Sequence, residues 1–227
     1  MLSRNNLIYL LLCLLIGGCN LQDKPTIVIP EGKVGMIGFG SLMSISRTEE
    51  VFGHTYEDSI YLVHLEGFQR SWDYVTSNFD SQVYTEDDLK YDRFYIQDND
   101  TLAFDHTIYL NISESKKESM NCVLYTVTEK EINDMDLYEF GYERIDVTNK
   151  ISEYQIEGGK VFAYKALPNY TYDSQKTIGK AIIEKDYFDL VANACDSIGL
   201  QFREEYENST SPSNLELVAL VIWKKVR

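Results

Sequence analysis

The chain has 227 residues, of which 44% are hydrophobic and 13% aromatic, enough for the core of one ordinary domain with short extensions. Asp and Glu number 36 against 21 Lys and Arg, a formal net charge of −15 with no basic cluster, which excludes nucleic acid as the expected partner. Four prolines and an even spread of tyrosines exclude a disordered chain.

The first stretch, MLSRNNLIYLLLCLLIGGC, has Arg4 in a short polar start, an apolar run from Leu7 to Ile16, then Gly17, Gly18 and Cys19. The run is too short to span a bilayer and has the layout of an export signal. LIGGC resembles the lipobox of bacterial lipoproteins, which implies acylation of Cys19 and attachment to a membrane through lipid chains. Residues 1–18 are therefore expected to be a signal peptide, 19–33 a lipidated tether and 34–227 the folded domain. The implied location is the bacterial cell envelope; a secreted or periplasmic protein after ordinary signal cleavage is the alternative.

KVGMIGF, from Lys33, reads as a buried strand that opens into Gly38, Phe39, Gly40 and Ser41. SISRTEEVFG has a serine or threonine at its start and Gly53 at its end, the start and stop signals of a short helix. SIYLVHLEGF and NCVLYTVT are expected strands. Between them, residues 78–120 read as an acidic insertion with one strand near HTIYLNI and otherwise surface loop. YERIDVTNKIS and GKVFAYKAL read as strands on either side of a hairpin turn at Gly158 and Gly159. In EKDYFDLVANACDSIGLQFREEY, Tyr187, Leu190, Val191, Ala194 and Ile198 recur at helical spacing, with Gly199 as the stop. LELVALVIWKKV closes the chain as a strand. Strands dominate and are not regularly separated by helices, which predicts an α+β fold.

No metal or other cofactor is expected: His54, His64 and His106 are scattered and no ligand pair shares a helix face. Beyond Cys13 and Cys19, only Cys122 and Cys195 remain, and they read as buried apolar residues, with pairing as the alternative. No nucleophile-elbow or His-paired Cys signature is present.

Three fragments in order carry more than any one alone: MIGFGSLMS, MDLYEFGYERIDV and DYFDLVANACDSIGLQFREEY. Together they resemble the gamma-glutamylcyclotransferase family, discontinuously from about Gly35 to Tyr206. GFGSLM is similar to that family's Tyr-Gly-Ser loop, with Phe39 in place of tyrosine, and Gln201 stands where the family has proline. The resemblance implies a mixed β-barrel or sheet with a few flanking helices. It also implies release of 5-oxoproline from a small γ-glutamyl amino acid, amine or peptide, with Glu139 as general acid and base. The substrate would be held by Met36, Ile37, Gly38, Phe39, Gly40, Ser41, Leu42, Tyr142, Tyr164 and Tyr187; Arg70 and Trp72, in GFQRSWDY, read equally well as supports of the site or as residues of a packed strand. A non-catalytic, ligand-binding lipoprotein of the same fold is the alternative, and a structural lipoprotein with a vestigial pocket a further one.

The residues suit that chemistry on their own terms. In such a cyclisation the attacking nitrogen belongs to the substrate, so the protein needs no nucleophile. It needs one carboxyl that can take and return a proton, and Glu139 among Tyr138, Phe140 and Tyr142 has company that raises a carboxyl pKa by burial. Main-chain N–H groups from Phe39 to Leu42 would meet either the oxyanion or the α-carboxylate of the substrate.

Overall fold

The computed structural model describes residues 24–79, 81–82, 90–97, 100–173, 177–218 and 221–225. The expected signal peptide and Cys19 lie outside these residues. Thirteen strands and four α-helices are found among the described residues.

At the centre is β2 (Lys33–Gly38), whose last five residues are all buried, the pattern of a strand covered on both faces. It pairs antiparallel with β7 (His106–Thr128) from Lys33 opposite Thr128 to Gly38 opposite Val123. On its other side it lies parallel to β10 (Val161–Ala166), which pairs antiparallel with β8 (Tyr142–Asp146). The far end of β7 pairs parallel with β11 (Ala181–Glu184), and β11 with β12 (Glu216–Val218). The long β3 (Tyr61–Ser77) runs antiparallel along β7, with irregularities at Gly67, where φ is +79°, and at Asp73. Such bulges bend a strand and increase its twist.

The sheet order is β12, β11, β7, β2, β10, β8, with β3 paired to β7. Its two ends are not joined among the described residues, so the architecture is α+β around an open mixed sheet. The barrel expected as one form of the fold does not close. A second sheet is built by β4 (Ser81–Gln82), β5 (Lys90–Gln97), β6 (Asp100–Leu102) and β13 (Val221–Lys225).

Four helices flank the strands: α1 (Ile45–Phe52), α2 (Glu129–Tyr138), α3 (Lys185–Ile198) and α4 (Leu200–Ser209). Ser44 caps α1, accepting from the Arg47 N–H, and Gly53 closes it in the left-handed region. Thr128 and Glu131 form a reciprocal capping box that starts α2 where β7 ends. Helix α2 packs on β2 and β7, and α4 packs on β7. The core under them includes Met36, Ile37, Val63, Leu65, Ile112, Leu124, Ile132 and Val191, all 1% exposed or less.

Several expectations change. The tether does not extend to residue 33: β1 (Thr26–Val28) pairs parallel with β9 (Gln155–Glu157), because Ile27 and Ile29 are buried while Thr26 and Val28 face out. The stretch 78–120 is not mainly surface loop, since it carries β5, β6 and most of β7; residues 80, 83–89 and 98–99 lie outside the described residues. The expected antiparallel pairing of YERID with VFAYKA is present as β8 with β10, but the connection between them is longer than a turn at Gly158 and Gly159, since it also carries β9, which pairs with β1. Gly199 ends α3 as expected, and a further helix, α4, starts immediately after it. The C-terminal strand is two strands in two sheets, with residues 219–220 outside the described set.

Candidate functional site

A cavity of about 800 Å³ opens between the loop after β2, α1, the end of α2 and the start of α3. Its walls include Ser41, Arg47, Tyr74, Tyr109, Glu139, Tyr142, Tyr170 and Tyr187. A volume of this order suits a small-molecule ligand, for which pockets run roughly 300–1,000 Å³. Ser41, Glu139, Tyr142 and Tyr187 also line a small pit of about 30 Å³, closed by Ile37, Phe39, Gly40, Leu42, Leu110 and Tyr164. Glu139 therefore faces the Phe39–Leu42 loop across a hollow.

Local structure fixes each part. Glu139 ends α2, its N–H donating to Met135 O at 2.8 Å, and the chain turns at Gly141, where φ is +80°. Tyr74 donates its hydroxyl to Phe140 O, and the Leu167 N–H donates to Gly141 O at 2.8 Å. These bonds hold the turn from the two sides. On the opposite wall, a single 3₁₀ turn (Ser41–Met43) follows the loop, closed by Met43 N–H to Gly40 O and Ser44 N–H to Ser41 O. Those bonds do not use the Ser41 and Leu42 N–H groups, which stand at the start of the turn.

The Glu139 carboxyl has no hydrogen-bond partner among the described residues. The residue is half-buried and lines both the cavity and the pit. Burial pushes its pKa up to about 7, against the pull of the Arg47 guanidinium. The surrounding phenols are held as neutral donors, since burial raises the pKa of Tyr142, Tyr164 and Tyr187. Tyr142 donates to Leu110 O at 2.7 Å and stacks on Tyr74 at 4.1 Å between centroids. Tyr164 donates to Asp136 at 2.8 Å. Trp72 meets Tyr187 edge-on and stacks on Phe188, so it steadies the cavity wall from behind.

No protein-family model matches the chain, and no curated protein matches it. Among solved structures it is similar to one described as a gamma-glutamyl cyclotransferase, at 11% identity over 80% of this chain and 90% of that one, with a TM-score of 0.48. An uncharacterized protein of Homo sapiens is similar at 14% identity over 81% and 91%, also with a TM-score of 0.48. A protein of Arabidopsis thaliana gives 18% identity over 64% and 75%, with a TM-score of 0.37.

Of the residues expected at the site, Glu139, Ile37, Phe39, Gly40, Ser41, Leu42, Tyr142, Tyr164 and Tyr187 converge on the pit. Met36 does not line it: the side chain is fully buried in the core on β2. Gly38 does not line it either. A Cβ there would lie 2.3 Å from the Leu42 carbonyl oxygen, so glycine is needed for the loop to fold back on itself rather than to admit a ligand. Arg70 is fully buried away from the cavity, where it donates to Asn121 O, Ser209 and Thr210 and lies over the Tyr206 ring. Cys122 and Cys195 are buried and free.

Sequence reasoning missed Arg47, Tyr74 and Tyr109. Tyr109 accepts from Arg93 at 2.6 Å, donates to Glu184 at 3.5 Å and meets Tyr187 edge-on at 4.8 Å. Pairing of β3 with β7 brings in Tyr74 and Tyr109, and the meeting of α1 with α2 brings in Arg47. A possible signal was the helix pattern of SISRTEEVF, which puts Arg47 one turn beyond the glycine loop.

Proposed function

We propose that the protein is a cyclotransferase that releases 5-oxoproline from a small γ-glutamyl amino acid, amine or peptide. One observation carries the reading: an unpartnered carboxyl, raised to about 7, faces a main-chain loop across a hollow continuous with a ligand-sized cavity. In the reaction, the Glu139 carboxylate takes a proton from the substrate's α-ammonium. The freed amine attacks the γ-carbonyl carbon, and the electron pair moves to its oxygen. As that oxyanion collapses, the C–N bond to the departing amine breaks, Glu139 returns the first proton to that nitrogen, and the surplus proton of the ring nitrogen passes through the same carboxylate to the released amine, which leaves as an ammonium. The five-membered lactam forms, and no water is consumed. With its carbonyl oxygen at the pit, the γ-glutamyl part would lie in the adjoining cavity near its ring geometry, and pre-alignment of this kind supplies much of the acceleration.

The test is 5-oxoproline release from γ-glutamyl amino acids, γ-glutamyl amines and γ-glutamyl peptides. General acid–base help is typically worth about 10²- to 10⁴-fold, so Glu139→Gln should lower kcat by that order. Equal turnover by both proteins would remove Glu139 from the reaction. Thermal stabilisation by these compounds without product would favour the non-catalytic binding reading.

For the amino terminus we propose acylation at Cys19 and attachment to the cell envelope through lipid. No helix among the described residues is long and apolar enough to cross a membrane. Incorporation of labelled fatty acid by the full chain, abolished in Cys19→Ala, tests the anchor.

A further inference from the structure

The loop after β2 has two candidate duties, the oxyanion and the α-carboxylate, and the cavity supplies a second group suited to one of them. Arg47 stands on α1, one turn beyond that loop, and lines the cavity with Glu139. Its guanidinium donates to the Tyr138 hydroxyl, lies 5.4 Å from the centre of that ring, and pairs with Glu50. Tyr138 directly precedes Glu139, and Arg47 is the charged group whose field acts on the Glu139 carboxyl.

We propose that Arg47 is the specificity residue that receives the α-carboxylate of the γ-glutamyl group, leaving the Phe39–Leu42 amides to the γ-carbonyl oxygen. This rests on the cyclotransferase reading. The α-carbon of a γ-glutamyl group bears an amine and a carboxylate side by side, and the cavity presents a carboxyl and a guanidinium on neighbouring elements. If the amine lies at Glu139, its carboxylate falls on the Arg47 side. The pit, at about 30 Å³, is large enough for a carbonyl oxygen and too small for an α-amino acid head.

The present partner of Arg47 is exchangeable. The Glu50 side chain is 69% exposed, and exposed ion pairs of this kind contribute about 0–1 kcal/mol. A planar guanidinium can take a substrate carboxylate through two parallel bonds, whereas a lysine ammonium cannot reproduce that fork. Arg93, the other arginine of the cavity wall, is bonded to Thr76, Ser77 and Tyr109 near Glu184, on the side where the departing group would lie. The opposing structural role for Arg47 is a stitch from α1 to the C-terminal end of α2, where a cation is favourable.

The two roles separate in a double comparison. The substrates are γ-glutamylalanine and the same compound with its α-carboxylate converted to a carboxamide; both keep the α-amine and can cyclise. The proteins are the parent chain and Arg47→Gln. Any difference in amine basicity is common to both proteins and cancels in the ratio. The parent should prefer the carboxylate substrate by about 10- to 100-fold in kcat/KM, the scale of a hydrogen bond to a charged group. Arg47→Gln should lose that preference through a rise in KM for the acid, while any change that the lost charge makes at Glu139 is common to both substrates and cancels in the ratio. Arg47→Lys should keep part of the preference, and Glu50→Gln, which removes the competing carboxylate, should lower KM for the acid only.

Equal slowing of both substrates by Arg47→Gln would show a stitch alone and overturn the assignment. Persistence of the preference in that variant would overturn it in favour of the loop amides, as would its absence from the parent. In each of these results the parent still makes 5-oxoproline, so the cyclotransferase reading survives. If the parent makes none from any γ-glutamyl compound, both fall together.

Discussion

The Tyr187 hydroxyl rests against the α-carbon of Gly40, so closely that a Cβ there would lie 2.8 Å from the phenol oxygen. One residue comes from the loop after β2 and the other from the first turn of α3, and each forms part of the pit wall. Gly40→Ala should therefore move the phenol, not the main chain of the core. Misplacement of about 1 Å costs on the order of 10²-fold in rate, so kcat/KM should fall by that order while the unfolding midpoint moves little. Kinetics beside a thermal melt checks it. Normal kinetics in that variant would remove Tyr187 from substrate positioning.

The Glu139 carboxyl sets a pH dependence of two kinds. To serve as the proposed base it must be ionised, so kcat/KM should rise with pH through about 7. Stability should run the other way. A folded pKa above the unfolded value means that the folded state holds the proton more tightly, and its advantage is full below about 4.5 and is lost as pH climbs through about 7. In Glu139→Gln this loss is removed, so the variant should gain on the parent by on the order of 2 kcal/mol between pH 4.5 and 8. Urea melts at several pH values measure it. A gap between the two proteins that stays constant with pH would mean that the carboxyl titrates normally.

Arg70 tests the frame rather than the chemistry. It is fully buried and ties β3 to β7 through Asn121 O and to the end of α4 through Ser209 and Thr210. Arg70→Met keeps much of the volume but leaves the Asn121 carbonyl without that donor. The cost should be about 1–3 kcal/mol in chemical denaturation, with KM unchanged in the folded fraction. A changed KM would bring Arg70 back to the site.

How far the sequence reaches depends on the kind of signal. Strand β2 is a continuous apolar run, and α3 has apolar residues at 3.6 spacing, so both are legible from local pattern. Strand β7 is not. Its buried face alternates as Ile108, Leu110 and Ile112, but Thr107 and Asn111 on the other face are also buried, and Ser113–Ser119 is polar. That polar stretch lies where the register with β3 shifts, so its pairing is set by a distant partner. The site divides the same way. Glu139, the loop and Tyr142 sit in short motifs, whereas Arg47 looks like an ordinary i,i+3 partner of Glu50 until α1 meets α2 in space.

Gly141 offers the means to separate the position of the carboxyl from its chemistry. It adopts φ +80°, and a Cβ there would come within 2.8 Å of both the Tyr170 ring and the Tyr74 hydroxyl. An alanine carries a left-handed penalty of roughly 1–2 kcal/mol and must also displace a ring or break the Tyr74 bond to Phe140 O. Gly141→Ala should lose about 2 kcal/mol or more and, because the turn holds Glu139 against α2, should lower kcat as well. Gly53 serves as the control: its φ is +72° but nothing lies within 4 Å of the added carbon, so Gly53→Ala should show the backbone penalty alone with kcat intact. Equal kinetic losses at the two glycines would mean that turnover follows overall stability rather than the placement of Glu139.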